Sequence, residues 1–374
     1  MTSARPSLRA LTAYFLRLGT VGFGGPIALV GYMQRDLVES RRWITQAEYA
    51  EGLALAQLAP GPLAAQLAMY LGWVCRGTWG ATLTGTAFIA PSFVMVLAIS
   101  VAYVRFDGLP WMEQAFYGVG AAVIAIIARS AIKVARLTLG RDRLLWGLCA
   151  VSGAVTAWTG AEIVWVFLAC GLVPVLVRTP PNLATAASVA PLVVVGSLVA
   201  SFGPIGTIFW YFAGAGLFVF GSGLAIVPFL HGGVVQDLHW ITERQFLDAV
   251  AVSLLTPGPV VITVAFIGYL TAGLPGACAA AAGVFLPVYI VTLLLAPSFH
   301  RWAQNTRIKA FVDGVTAAAT GAIAGAVVVL GGRALGDVGA VAIAAATFAL
   351  LVAAKRIPEP VLILAAGVAG FALH

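Results

Sequence analysis

The sequence predicts an all-α polytopic membrane protein made of two homologous halves arranged as inverted repeats. Three observations carry this. Of its 374 residues, 61% are hydrophobic and only 9% charged, where a soluble chain carries roughly 25%. The apolar residues gather in runs separated by short polar or charged breaks. The second half repeats the motifs of the first in the same order.

Mean hydropathy is +1.00. Lipid offers no water to hydrate charge, so a chain this apolar fits a bilayer. A spanning helix takes about 20 apolar residues, and this length holds about 10–12 membrane segments. A soluble fold would need several large cores with almost no charged surface. The net charge of +7 suits membrane loops that collect Lys and Arg on the cytoplasmic side, and does not call for nucleic acid. Cys75, Cys149, Cys170 and Cys278 are isolated in apolar runs, so neither a disulfide scaffold nor a zinc site is expected. The first apolar run, Leu11 to about Met33, reads as a membrane helix and not as a removed signal peptide.

After a charged stretch from Gln34 to Trp43 come two short segments, Ile44 to Leu58 and Leu63 to Cys75. Ala59-Pro60-Gly61-Pro62 joins them. Full-length spans follow at Thr78–Arg105 and Glu113–Arg136, then tighter ones at Leu144–Thr159 and Glu162–Val177. Apolar sequence resumes from about Ala184 to Leu230, as one span or two. The halves divide at 1–182 and 183–374. A shift of 197 lays Phe23–Pro62 on Phe220–Pro259 without a gap, with 13 identities in 40 positions. One deletion then changes the shift to 196, and Gly72, Gly77, Gly80 and Pro91 meet Gly268, Gly273, Gly276 and Pro287. Duplication of this kind is the usual plan of secondary transporters. The loop with Arg129, Lys133, Arg136, Arg141 and Arg143 faces the cytoplasm by its charge, and so does the loop with Arg301, Arg307 and Lys309. These loops do not correspond in the repeat, so the halves are expected to be inverted.

Pro-Gly-Pro occurs once in each half, at Pro60-Gly61-Pro62 and Pro257-Gly258-Pro259. Proline lacks an N–H and breaks a helix. The flanking segments are too short to cross, which fits a re-entrant hairpin or broken helix. Irregular backbone at membrane depth survives only in protein or beside a wet cavity. A helix starting after the tip would aim free N–H groups at that cavity, making an anion site. A plain surface loop is the competing reading. A second break, Gly22-Phe23-Gly24-Gly25-Pro26, matches Phe220-Gly221-Ser222-Gly223. It serves either close packing or exposed backbone at a substrate site.

Arg17, inside the first run, either draws an oxyanion or snorkels to the interface. Glu48, Glu51 and Asp248 are candidate proton relays, with Asp248 matching Glu51. Gln57, Gln66 and Thr256 add uncharged hydrogen-bonding groups near the tips. No HExxH or G-x-S-x-G constellation appears, so no enzyme, metal or cofactor is expected.

Phe23-Gly24-Gly25-Pro26, Trp43-Ile44-Thr45 and Leu58-Ala59-Pro60-Gly61-Pro62, all echoed in a second half, resemble the chromate transporter family in its long, two-domain form. The resemblance runs from about Thr12 to Val329. The second half departs from it, reading Phe220-Gly221-Ser222-Gly223 without the proline, so the two glycine breaks need not bind substrate equally. The resemblance implies gradient-driven export of chromate through the cell membrane, conferring chromate resistance, with sulfate as a close isostere. A proton is the expected coupling ion, the bilayer the expected surroundings, and a homo-oligomer remains open. A membrane enzyme acting on lipid phosphate would need a cluster of acids or histidines. A scaffold subunit would need no duplicated breaks.

Overall fold

The computed structural model describes residues 5–23, 25–106, 110–160, 163–178, 203–217, 219, 226–299, 305–354 and 357–373. The boundary expected at 182/183 lies outside them. The described residues are helical, without strands. Four stretches, 63–106, 114–138, 260–298 and 306–334, are long and apolar enough to cross a membrane.

The first half opens with α1 (Leu8–Val21) and α2 (Gly25–Met33), which widens into a π-helical segment, Gln34–Ser40. The expected single span from Leu11 to Met33 is corrected here. The Tyr14 hydroxyl donates to the Tyr32 carbonyl at 3.4 Å, and Arg41 stacks over the Tyr14 ring. An unbroken helix would hold residues 14 and 32 about 27 Å apart. The chain folds back at the glycine break, so α1 and α2 form a hairpin. A second hairpin follows: α3 (Gln46–Leu58), the Pro-Gly-Pro tip, and the first part of α4 (Leu63–Phe106). Tyr70 packs its ring on Gly52 across it. Thr45 starts α3 with a capping box, its hydroxyl accepting from the Glu48 N–H while the Glu48 side chain accepts from the Thr45 N–H.

The helix α4 is itself bent double. Arg76 and Gly77 leave helical geometry, Gly77 at φ +61°, ψ −151°. Gly72 then lies against Gly80, and Thr84 Oγ1 donates to the Ala68 carbonyl at 2.9 Å. Residues 78–106 therefore make the first true crossing, about 43 Å long. α5 (Pro110–Thr138) makes the next, followed by α6 (Arg143–Thr159) and α7 (Val164–Arg178).

The second half repeats this plan in α8 (Pro204–Leu217), α9 (Ile226–Leu230) with its π-helical His231–Asp237, α10 (Glu243–Leu255), α11 (Thr263–Leu295), α12 (Thr306–Ala334), α13 (Val338–Ala353) and α14 (Glu359–Leu373). The copies agree in detail. Tyr211 donates to the Phe229 carbonyl as Tyr14 does to Tyr32. Gly273, at φ +60°, ψ −152°, repeats the Gly77 turn within a degree.

Inversion shows in how the crossings pair. The start of α5 meets the end of α12: Tyr117 hydrogen-bonds Asp337, and Ile124 lies against Gly331. At the other end Arg178 bridges Asp142, just beyond α5, and Asp313 near the start of α12. Equivalent helices thus run antiparallel. The halves also interlock. α6 and α7 pack on α12 of the second half, while α13 and α14 pack on α5 of the first. Close approach uses small residues, as between Gly153 and Gly321 and between Gly118 and Ala366.

Candidate functional site

Each Pro-Gly-Pro tip reaches the middle of a crossing helix of the other half. Gly61 lies against Val288 of α11, and Gly258 against Ser92 of α4. Both glycines hold positive φ, +138° and +97°, a region that favours glycine. Their N–H groups are engaged. Gly61 donates to the Val219 carbonyl at 2.7 Å, and Gly258 donates to the Gly22 carbonyl at 3.0 Å. Val219 and Gly22 are equivalent residues beside the glycine breaks. Two reciprocal junctions therefore tie each tip to the glycine break of the opposite half.

The junctions differ in their polar partners. At the second tip, Ser92 Oγ donates to the Pro257 carbonyl at 2.6 Å. The residue equivalent to Ser92 is Val288, so the first tip lacks that bond. There Gln66 Nε2 donates to the Pro60 carbonyl at 2.8 Å, and the buried Gln66 Oε1 has no hydrogen-bond partner among the described residues. Thr256 is buried, its hydroxyl directed to the Ser253 carbonyl.

A small cavity of about 10 Å³ sits at the second junction, lined by Gly22, Gly25, Ser253, Thr256, Gly258 and Glu359. It has room for about one water. It joins Gly25, Thr256 and Gly258, three of the residues expected at a site. Pro60, Gly61 and Pro62 stand at the other junction, Pro257 and Pro259 flank Gly258, and Pro26 is half-buried at the start of α2. Gly24, Gly221, Ser222 and Gly223 lie outside the described residues. Gln57 is exposed. Arg17 is also exposed, on the face of α1 that carries Leu16 and Thr20, and is not among the residues at either junction.

The three candidate relays separate. Glu48 is engaged in its capping box and an ion pair with Arg5 at 2.6 Å. Glu51 is half-buried beside Tyr70. Asp248 is 1% exposed and accepts from the Tyr103 hydroxyl at 2.7 Å. Tyr103 is held edge-on by Phe116 and Phe266. Its equivalent is Phe299, which gives Glu51 no such donor.

Beside this pair opens a vestibule of about 470 Å³, lined by Gln114, Phe116, Tyr117, Arg244, Leu247 and Arg333, with Glu243 at its wall. Glu243 bonds His231 at 2.8 Å and Arg333 at 2.6 Å. Burial alone would raise the Glu243 carboxyl, but these partners hold it below the ordinary glutamate value.

Sequence reasoning missed Glu359, Ser92 and Tyr103. Glu359 had a readable signal: it falls on Glu162 at the shift of 197. Ser92 and Tyr103 had none, because each is a single polar group in an apolar helix whose equivalent is apolar.

Antiparallel duplicate halves, helix breaks meeting between them, and carboxyls beside the breaks define a polytopic membrane protein of the transporter class. The chromate transporter family model matches residues 9–175 and 206–371, and the chain belongs to that family. It is 55% identical to a chromate transport protein of Cupriavidus metallidurans, over 100% of this chain and 95% of that one. It is 53% identical to a probable chromate transport protein of Synechococcus elongatus, over 97% and 95%. A chromate transport protein of Pseudomonas aeruginosa is 34% identical, over 96% and 91%. No solved structure matches the chain. Family and apolar helices together make this a multi-pass protein of the cell membrane.

Proposed function

We propose that this chain is a secondary active transporter that exports chromate from the cytoplasm, conferring chromate resistance, with the proton as coupling ion. The observation that carries the reading is the pair of reciprocal junctions, Gly61 to Val219 and Gly258 to Gly22. Each closes a potential anion site with a backbone carbonyl from the other half. When the halves part, the tip N–H and the N–H groups at the start of α2 become donors for a tetrahedral oxyanion. The cavity at the second junction is too small for such an ion, so binding requires that parting. Opening one junction at a time would give alternating access around a fixed centre.

Charge supports the orientation. The end of the molecule holding Arg41, Arg76, Arg136, Arg141, Arg178 and Arg307 faces the cytoplasm by the positive-inside tendency, and the vestibule then faces outward. Asp248, beneath the vestibule and bonded by Tyr103, is the best placed of the three expected relays to pass a proton outward.

The test is uptake of labelled chromate into inside-out vesicles, with pH and potential set separately and sulfate as competitor. Chromate accumulation that sulfate only weakly inhibits is expected. Uptake no greater than in vesicles lacking the protein would refute the reading, and full inhibition by equimolar sulfate would make chromate incidental.

A further inference from the structure

Glu359 lines the cavity at the second junction together with Gly22, Gly25, Thr256 and Gly258. It opens α14, which packs antiparallel on α5: Gly370 touches Gln114, and Ala366 touches Gly118. Carrying that register along both helices sets Glu359 level with about Ala125, half-way along α5. Its carboxylate is therefore near the middle of the bilayer, where an acid is costly and is retained for function. Among the described residues, the charges that act on it are Arg129 and Lys133, both on α5. The adjoining turn of α10 brings only the hydroxyls of Ser253 and Thr256, and the glycine break brings no charge. Asp248 lies further along α10 in its bond to Tyr103.

We infer that Glu359 is the group that takes up a proton when the oxyanion binds, so that one proton leaves with each dianion. This rests on the transport reading above. Like-charge repulsion at the site gives the reason. A dianion bound beside ionised Glu359 in a low-dielectric cavity sets negative charges against each other, which is unfavourable. Protonating the carboxylate removes that repulsion. The proton comes from cytoplasmic water as the anion enters, rides on the Glu359 carboxyl, and is released outside with the anion. No covalent bond other than the carboxyl O–H forms or breaks. Net movement is then one negative charge outward per chromate, which an inside-negative potential drives.

The experiment measures the steady chromate ratio in proteoliposomes at a potential of about 100 mV, first without and then with a pH gradient. One net charge gives a ratio of about 50-fold, two net charges about 2,500-fold. For the wild type the expected ratio is near 50-fold, moving about tenfold for each imposed pH unit. For Glu359→Gln it should rise toward about 2,500-fold and lose its response to the pH gradient. Glu359→Asp, which keeps a carboxyl, should retain the wild-type response. A wild-type ratio near 2,500-fold without pH response would overturn the inference. So would a glutamine variant with the wild-type pH response, since the proton would then ride on the anion itself. If the glutamine variant does not reach the membrane, the wild-type ratio and its pH response decide alone. Wild type that moves no chromate would overturn the transport reading as well, and is thereby distinguished from failure of the Glu359 assignment.

Discussion

Replacing Gly258 with alanine strikes the second junction at its tightest point. A methyl group there overlaps Ser92 Oγ, and the backbone sits at φ +97°. The strained dihedral costs about 1–3 kcal/mol. Pushing Ser92 aside also breaks its 2.6 Å bond to the Pro257 carbonyl, leaving a buried acceptor unmet at about 1–3 kcal/mol. The closed junction should therefore lose about 2–6 kcal/mol in total. Ser92→Ala alone loses only the hydrogen-bond part. In the double variant that part is lost once, so the two changes should couple by about 1–3 kcal/mol. The assay is thermal unfolding of the purified protein in detergent, paired with chromate flux. The reasoning is refuted if the two losses add fully, or if Gly258→Ala melts and transports like the wild type.

At the first junction, alanine at Gly61 sets its Cβ 2.6 Å from Val288 Cγ1; flux should fall, and Val288→Ala should restore part of it, read in the same vesicles. Gly77 has open space around it but a positive φ, whereas a Cβ at Gly80 overlaps the Gly72 carbonyl. Gly77→Ala should cost about 1–3 kcal/mol and Gly80→Val more, by membrane yield and melting. Asp248→Asn should abolish the response of accumulation to an imposed pH gradient while Tyr103→Phe weakens it, and a wild-type response from both would remove the pair from the mechanism. Glu243 ionises more readily folded than unfolded. Its stabilising contribution is therefore complete above about pH 4.3 and is lost as pH falls through the lower folded value. Melting curves should show that acid loss in the wild type and not in Glu243→Gln.

How far the sequence discloses this molecule depends on which interactions are local. Proline's missing N–H is a local fact, so the Pro-Gly-Pro tips and their hairpins were legible. The duplicate was legible too, because equivalent residues recur at a fixed shift. Inversion followed from loop charge, and the antiparallel α5 and α12 agree with it. What stayed hidden depends on contacts between halves. The Leu11–Met33 run has the length of a span, yet the chain turns back within it and brings Tyr14 to Tyr32. The partners of the tip N–H groups were hidden because their carbonyls lie almost 160 residues away or more. The two readings of Arg17, anion attraction and snorkelling, stayed open because hydropathy does not say which face of α1 meets lipid. Glu359 was readable as the repeat of Glu162, but its place beside α5 and the second tip was not.

The central claim is that an oxyanion replaces a backbone carbonyl at one of two equivalent junctions in the middle of the membrane. An experimental structure in lipid with chromate bound tests it most directly. The account predicts the anion beside Gly25, Thr256 and Gly258, or at the matching place by Gly61, with that junction's N–H turned from its carbonyl to the anion. An anion held elsewhere, with both the Gly61–Val219 and Gly258–Gly22 bonds intact, would contradict it.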